Sequence, residues 1–398
     1  MNKHLFRTSL LTVILTLSVA VPCFAGGPNT LTADELADGW ILLFDGETLF
    51  GWRDNIRWKA KDGVLTVRDV SHLELTDDSR LLRTTSQWGN YALKLDFRAA
   101  ADSKSSVLLR TPPRVSSFKH KSYAVAISGN PAFPTGSLID RKSCTSGTAV
   151  KPGQWQTLEI TANGAHISVK LDGREVLDYT DPKPLGRGFI GLNFESGPIE
   201  FRNVKLKPLA MKSIFNGKDL TGWKTYPELK SVCSVTEKGE LNIKDGKGQI
   251  ETERQYGDFT LQLDVFVNGK ALNSGIFYRC IPGDIMNGYE SQIQNGFKDG
   301  DRSKPQDCGT GGIFRRQNAR RVVANDFEWF TKTIHADDKH VAVWVNGYQV
   351  SDWTDNRKPN ENPRRGLRLE PGTITIQGHD PTTDLSFRNL RISEIPER

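Results

Sequence analysis

Trp88-Gly89-Asn90-Tyr91-Ala92-Leu93-Lys94-Leu95-Asp96 opens on a turn and passes into alternation of apolar with small or polar residues, which continues through Phe97 and Arg98. A period of two sends successive side chains to opposite faces and marks a strand with one buried face. The same stretch returns as Tyr256-Gly257-Asp258-Phe259-Thr260-Leu261-Gln262-Leu263-Asp264. A turn-plus-strand unit that appears twice predicts an all-β chain built from an internal repeat.

Working outward, the repeat holds in order. Leu43-Phe44-Asp45-Gly46 through Gly51-Trp52 matches Ile214-Phe215-Asn216-Gly217 through Gly222-Trp223. Leu171-Asp172-Gly173 matches Val345-Asn346-Gly347, and Phe201-Arg202-Asn203-Val204 matches Phe387-Arg388-Asn389-Leu390. Asp-Gly and Asn-Gly between strand-like runs are strong hairpin signals. His166 to Leu171 and His340 to Val345 read as further period-two strands, and no segment shows a long helical period. Two sandwich domains are expected, over residues 37–208 and 209–396, each with two packed sheets. Trp52, Trp223, Trp155 and Trp329 are expected to pack rather than to stack on a ligand.

The first 25 residues stand apart. Lys3 and Arg7 precede an apolar run from Leu10 to Val21, and Cys23-Phe24-Ala25 offers a cleavage site after Ala25. This pattern predicts a signal peptide, hence a periplasmic or secreted protein with no membrane span. The net charge of +6 is mild. The pairs Arg315-Arg316, Arg320-Arg321 and Arg364-Arg365 read as solvated surface, and no nucleic-acid motif accompanies them. Cys280 and Cys308 fall in one repeat and are close enough in sequence to pair, with free buried thiols as the other reading.

Several motifs in fixed order resemble a known bacterial family, the 3-keto-disaccharide hydrolase domain. They are the opening Phe-Asn/Asp-Gly-x-x-Leu-x-Gly-Trp, Asn273-Ser274-Gly275-Ile276-Phe277-Tyr278-Arg279, Gly288-Tyr289-Glu290-Ser291-Gln292-Ile293, Thr310-Gly311-Gly312-Ile313-Phe314 and the final Phe-Arg-Asn strand. The resemblance covers nearly the whole chain after the leader, twice. It implies a concanavalin-like jelly-roll fold and a keto-glycoside substrate. A 3-keto sugar has an acidified C2 proton, so the chemistry needs a base, donors for an enolate oxygen and groups for the hydroxyls.

The second repeat offers such a set. Glu290, Gln292 and Gln294 share one strand face, with Tyr289 beside them. Glu290 is the candidate base or metal ligand, and Arg279 the candidate carbonyl polariser. Asn273 stands before a glycine turn where it can bind a hydroxyl. The resemblance places a pair such as Gln377 and His379 beside the site, with His379 as a second base or a ligand. The structural alternative makes Glu290 a buried acid satisfied by Arg279. No cofactor is demanded. A divalent ion at Glu290 and His379 is compatible with the residue types, though no ligand spacing requires it.

The first repeat departs from the pattern. Ala124 and Ala126 replace Glu290 and Gln292, and Asn193 and Glu195 replace Gln377 and His379. Alanine cannot transfer a proton, so the first site is expected to be degenerate. No Glu-x-Asp-x-x-Glu string, HExxH, Walker loop or GxSxG elbow occurs. The leading expectation is a hydrolase or lyase of 3-keto-glycosides. The alternative is a non-catalytic, lectin-like carbohydrate binder. Oligomeric state is left open.

Overall fold

The computed structural model describes residues 27–53, 55–67, 80–113, 121–144 and 150–397. The expected leader, 1–25, lies outside the described residues. The fold is two tandem concanavalin-like β-sandwiches. The first repeat has an eight-stranded sheet ordered Arg174–Thr180, His166–Leu171, Trp155–Asn163, Tyr91–Ala99, Ile199–Pro208, Val64–Val67, Trp58–Lys61, with Ile41–Leu42 also on Ile199–Pro208. Its second sheet is ordered Leu81–Trp88, Gly188–Ser196, Lys104–Thr111, Tyr123–Ser128.

The second repeat copies this plan. Its large sheet runs Val232–Val235, Leu241–Lys244, Asp384–Glu394, Phe259–Val267, Trp329–Asp337, His340–Val345, Tyr348–Thr354, with Lys212–Ser213 on Asp384–Glu394. Its smaller sheet runs Trp223–Thr225, Gly248–Thr252, Thr373–Gly378, Ser274–Cys280, Tyr289–Ile293. The described helix, Ala33–Ala37, is one turn closed by a capping box between Thr32 and Glu35.

The local signals act as expected. Asp172-Gly173 and Asn346-Gly347 both take positive φ at each residue, the backbone that a two-residue hairpin needs. Trp52 donates its indole N–H to the Leu43 carbonyl, and Trp223 does the same to Ile214. Trp155 and Trp329 lie under arginines, with Arg202 and Arg388 about 4 Å from the ring centres. Cys280 and Cys308 are buried and unpaired.

One strand differs from its reading. His166–Leu171 alternates between buried and half-exposed residues, but His340–Val345 is buried throughout. The cause is the neighbouring repeat. Val341, Val343 and Val345 face the second core, while Ala342 and Trp344 belong to the first. Trp344 donates to the Leu42 carbonyl at 2.8 Å, and Trp88 stacks on His335 with ring centres 4.0 Å apart. Asp337 accepts from both the backbone and the side-chain amide of Gln87. The first repeat therefore covers the outer face of the second repeat's large sheet.

Removing this contact tests its weight. Trp344→Ala is expected to cost about 3–5 kcal/mol, the usual range for a buried aromatic. The measurement is a urea unfolding curve, with a midpoint shift or a split transition as the expected result.

Candidate functional site

The smaller sheet of the second repeat carries the candidate site. Ile250, Ile276, Tyr278, Tyr289, Ile293, Ile374 and Ile376 point into the core. Alternation then sends their neighbours to the opposite face. Register aligns those neighbours in two rows. One row is Glu251, Thr375, Phe277 and Glu290. The other is Gln249, Gln377, Gly275 and Gln292.

Gly275 is required here by space. A Cβ at that position would lie 2.7 Å from Glu290 Oε1, because the carboxyl leans over the glycine. Glu290 is 6% exposed. Burial raises its pKa from 4.5 to about 7, against the pull of Arg364, His379 and Lys332. Arg364 reaches its Oε2 at 3.5 Å and lies over the Phe277 ring. A carboxyl that titrates near neutrality can both accept and return a proton.

Gln292 donates its amide to Asn273 Oδ1 at 2.8 Å and to Asp307 Oδ2 at 2.9 Å. A carboxylate accepts only, so the donation fixes the amide and leaves its oxygen as the other end. That oxygen is buried without a protein partner, as is Gln377 Oε1 across Gly275. Two unpaired buried acceptors flank the glycine over which the Glu290 carboxyl leans, and their free lone pairs suit ligand hydroxyl donors.

The structure sorts the expected residues. Glu290, Gln292, Gln377 and Asn273 come together. His379 is half-buried, with Nδ1 2.7 Å from Asp380 Oδ2, and shares the electrostatic surroundings of Glu290. Gln294 is spent in its own loop, contacting Ala271, Gln306 and Gly296. Tyr289 faces the core and donates to Asp355 at 2.8 Å. Arg279 does not join Glu290. Its guanidinium is held by Asp258 and the carbonyls of Gly257, Asp338 and Arg368. Arg110 braces the matching corner of the first repeat through Gly89, Gly164 and Leu185. Arg279 is a shared fold element, and its expected partnership with Glu290 is taken by Arg364.

Asp307, Arg364 and Lys332 were not expected. Lys332 leaves the large sheet, crosses the core, and donates to the carbonyls of Ser291 and Gln292 at 2.8 and 2.7 Å. Burial lowers its pKa to about 7. It occupies the place of Leu158 three residues after the shared tryptophan, so the repeat comparison itself holds the signal. Among the described residues, no group of three or more metal-ligating side chains is gathered.

The first repeat replaces part of this face with hydrocarbon, while Arg83, Ser106 and Asn193 keep polar groups on the rest. Leu81, Leu108 and Ala124 form a small apolar cluster where Gln249, Phe277 and Glu290 stand in the second.

The model of the 3-keto-alpha-glucoside-1,2-lyase-like domain matches residues 39–207 and 210–393. The chain belongs to that family. The match supports a carbohydrate-active function and a carbohydrate ligand. Among solved structures, the chain is similar to two described as a "putative glycosyl hydrolase" from Parabacteroides distasonis. One is 18% identical with a TM-score of 0.41, covering 46% of this chain and 100% of its own. The other is 26% identical with a TM-score of 0.36, covering 46% and 98%. Carbohydrate binding module CBM66 from Bacillus subtilis is 15% identical with a TM-score of 0.33, covering 45% and 99%. No curated protein matches the chain. No helix among the described residues is long and apolar enough to cross a membrane.

The raised Glu290 pKa has a consequence for stability. Between about 4.5 and about 7 the folded chain keeps a proton that the unfolded chain releases. That contribution is complete below 4.5 and is lost as pH rises through 7. Glu290→Gln should therefore be more stable than wild type at pH 8, by about 3 kcal/mol at most. The difference should vanish by pH 4, as read by denaturant unfolding at both values. Lys332→Leu removes a cation near the carboxyl, so the Glu290 titration followed by NMR should move upward.

Proposed function

We propose that this is an exported enzyme that cleaves 3-keto-glycosides, with its working site in the second repeat. The observation that carries the reading is the Glu290 carboxyl, buried, raised to about 7 and set over Gly275 between two unpaired amide oxygens. Export rests on the charged start and apolar run of the first 25 residues.

The ketone at C3 acidifies the hydrogen on C2. Glu290 takes that proton, and the electron pair moves toward the C3 oxygen as an enolate. Arg364 supplies a fixed cation beside the carboxyl to stabilise that oxygen. The enolate then reforms the ketone and makes a C1=C2 double bond. The C1–O bond breaks, and the leaving oxygen keeps its pair and gains a proton from His379. Gln292 and Gln377 accept sugar hydroxyls and hold the ring. Water that adds across C1=C2, with OH at C1 and H at C2, completes a net hydrolysis. Release before that step gives a lyase.

Product analysis on a panel of 3-keto-disaccharides tests the reading. Wild type should cleave, and Glu290→Gln should lose roughly 10²–10⁴-fold in rate, the usual weight of general base catalysis. Since only the carboxylate is a base, kcat/KM should climb with pH up to about 7 and level off above it. A folded wild type that leaves the whole panel intact, yet binds glycans, would replace this reading with a lectin-like one.

A further inference from the structure

Next to Glu290 the second repeat carries positive charge that the first repeat neutralises. In the first repeat the tight turn Leu138-Ile139-Asp140-Arg141-Lys142 places Arg141 on Asp181 at 2.6 Å, and Tyr123 donates to the same carboxylate. The second repeat keeps the turn as Ile313-Phe314-Arg315-Arg316-Gln317, and Tyr289 still donates to Asp355. Here, however, Asp355 is taken by Arg357, at 2.7 and 2.8 Å. Arg357 comes from a segment, 356–371, that is much longer than its first-repeat counterpart, 182–187.

The exchange leaves Arg316 with backbone carbonyls only, those of Arg315 and Arg364. Arg315 replaces Asp140 and touches only the Phe314 ring. Arg365 has no side-chain partner and is exposed. Glu361 and Glu370 lie on the same segment, yet neither carboxylate is within ion-pair distance of an arginine. Glu361 offers Arg368 only its carbonyl. The rim is joined to the site directly. Arg364 binds the Met286 carbonyl, lies over Phe277 and reaches Glu290, while its own carbonyl holds Arg316. Burial and the neighbouring Arg357 push the Arg316 guanidinium below its ordinary value, as expected of crowded like charge.

From these contacts we infer that the second-repeat site takes an acidic glycan, whose carboxylate or sulfate is held by Arg315, Arg316 and Arg365 while the neighbouring ring lies over Gly275. The inference rests on the site proposed above and adds the class of sugar. Guanidinium forks suit planar or tetrahedral oxyanions, and carbonyl contacts hold Arg316 in place without cancelling its charge.

The test uses the full two-repeat chain and calorimetric titration with oligogalacturonate, sulfated carrageenan oligosaccharide and a neutral cello-oligosaccharide. At low salt at least one acidic probe should bind about tenfold tighter than the neutral one, and the advantage should shrink as salt rises. Which acidic probe wins separates carboxylate from sulfate. The Arg316→Gln/Arg365→Gln variant should lose the advantage and keep its neutral binding and melting temperature. Lys218→Gln/Lys238→Gln, the same charge change on turns of the other sheet's side, should keep it. Equal binding of all probes, or an advantage that survives the arginine variant or falls equally in the lysine control, overturns the inference. Turnover of keto-disaccharides is scored separately. Turnover without acidic preference would leave the lyase reading standing alone. Acidic preference without turnover would sink the lyase reading and keep this one.

Discussion

The second repeat's large sheet is covered on both faces along His340–Val345 and the adjoining part of Trp329–Asp337, and the packing of the two repeats follows from that. Its inner face closes on the smaller sheet, and its outer face takes Trp344, Ala342 and His335 against the first repeat. The outer face of the smaller sheet, where Glu290 stands, is polar and is itself buried: Gln249, Glu251, Glu290, Gln292 and Gln377 are each less than a tenth exposed. The two copies thus divide their tasks by packing before chemistry enters. One lends a face to cover its neighbour, and the other keeps a polar face on its smaller sheet.

Two buried acids on that face differ in their hydrogen-bond donors. Glu290 has a long contact with Arg364 and little else, so loss of water governs its titration. Glu251 lies in the same row and is equally buried, but Tyr226, Thr373 and the Gly283 N–H all donate to it. Such donors use up a carboxylate's lone pairs. Identical side chains on one sheet face therefore differ in what they can do. The difference lies in their donors.

The fold was legible in the sequence because it depends on patterns that short windows contain. The Asp172-Gly173 and Asn346-Gly347 turns, the alternating strands and the duplicated motifs each act locally. The exception was His340 to Val345, whose even positions are covered by a different repeat, which no window of that strand can show. The site was legible only where one strand carried it. Glu290 and Gln292 share a strand, and periodicity placed them together. Arg279 lies two residues beyond Phe277, but a bulge in the pairing of its strand with Thr373–Gly378 and a positive φ turn it to the corner. Arg364, Asp307 and Lys332 arrive from distant loops or from the opposite sheet, so no spacing announces them.

Comparing the copies recovers part of what spacing hides. Several of the places where the second repeat breaks its likeness to the first fall on the Glu290 face or its supports. Glu290 stands for Ala124, Gln292 for Ala126, Gly275 for Ser106, and Lys332 for Leu158. Where the copies agree, as at Arg110 and Arg279 or Trp52 and Trp223, the contacts are those that hold a sandwich together. A buried lysine in place of leucine loses hydration on burial and is compensated only by two carbonyls. Such a residue adds little to a core that leucine fills well in the other copy. Its carbonyl partners belong to the residues that follow Glu290 in its strand, which gives it a second use: to hold that strand, and with it the carboxyl, at a fixed height above Gly275.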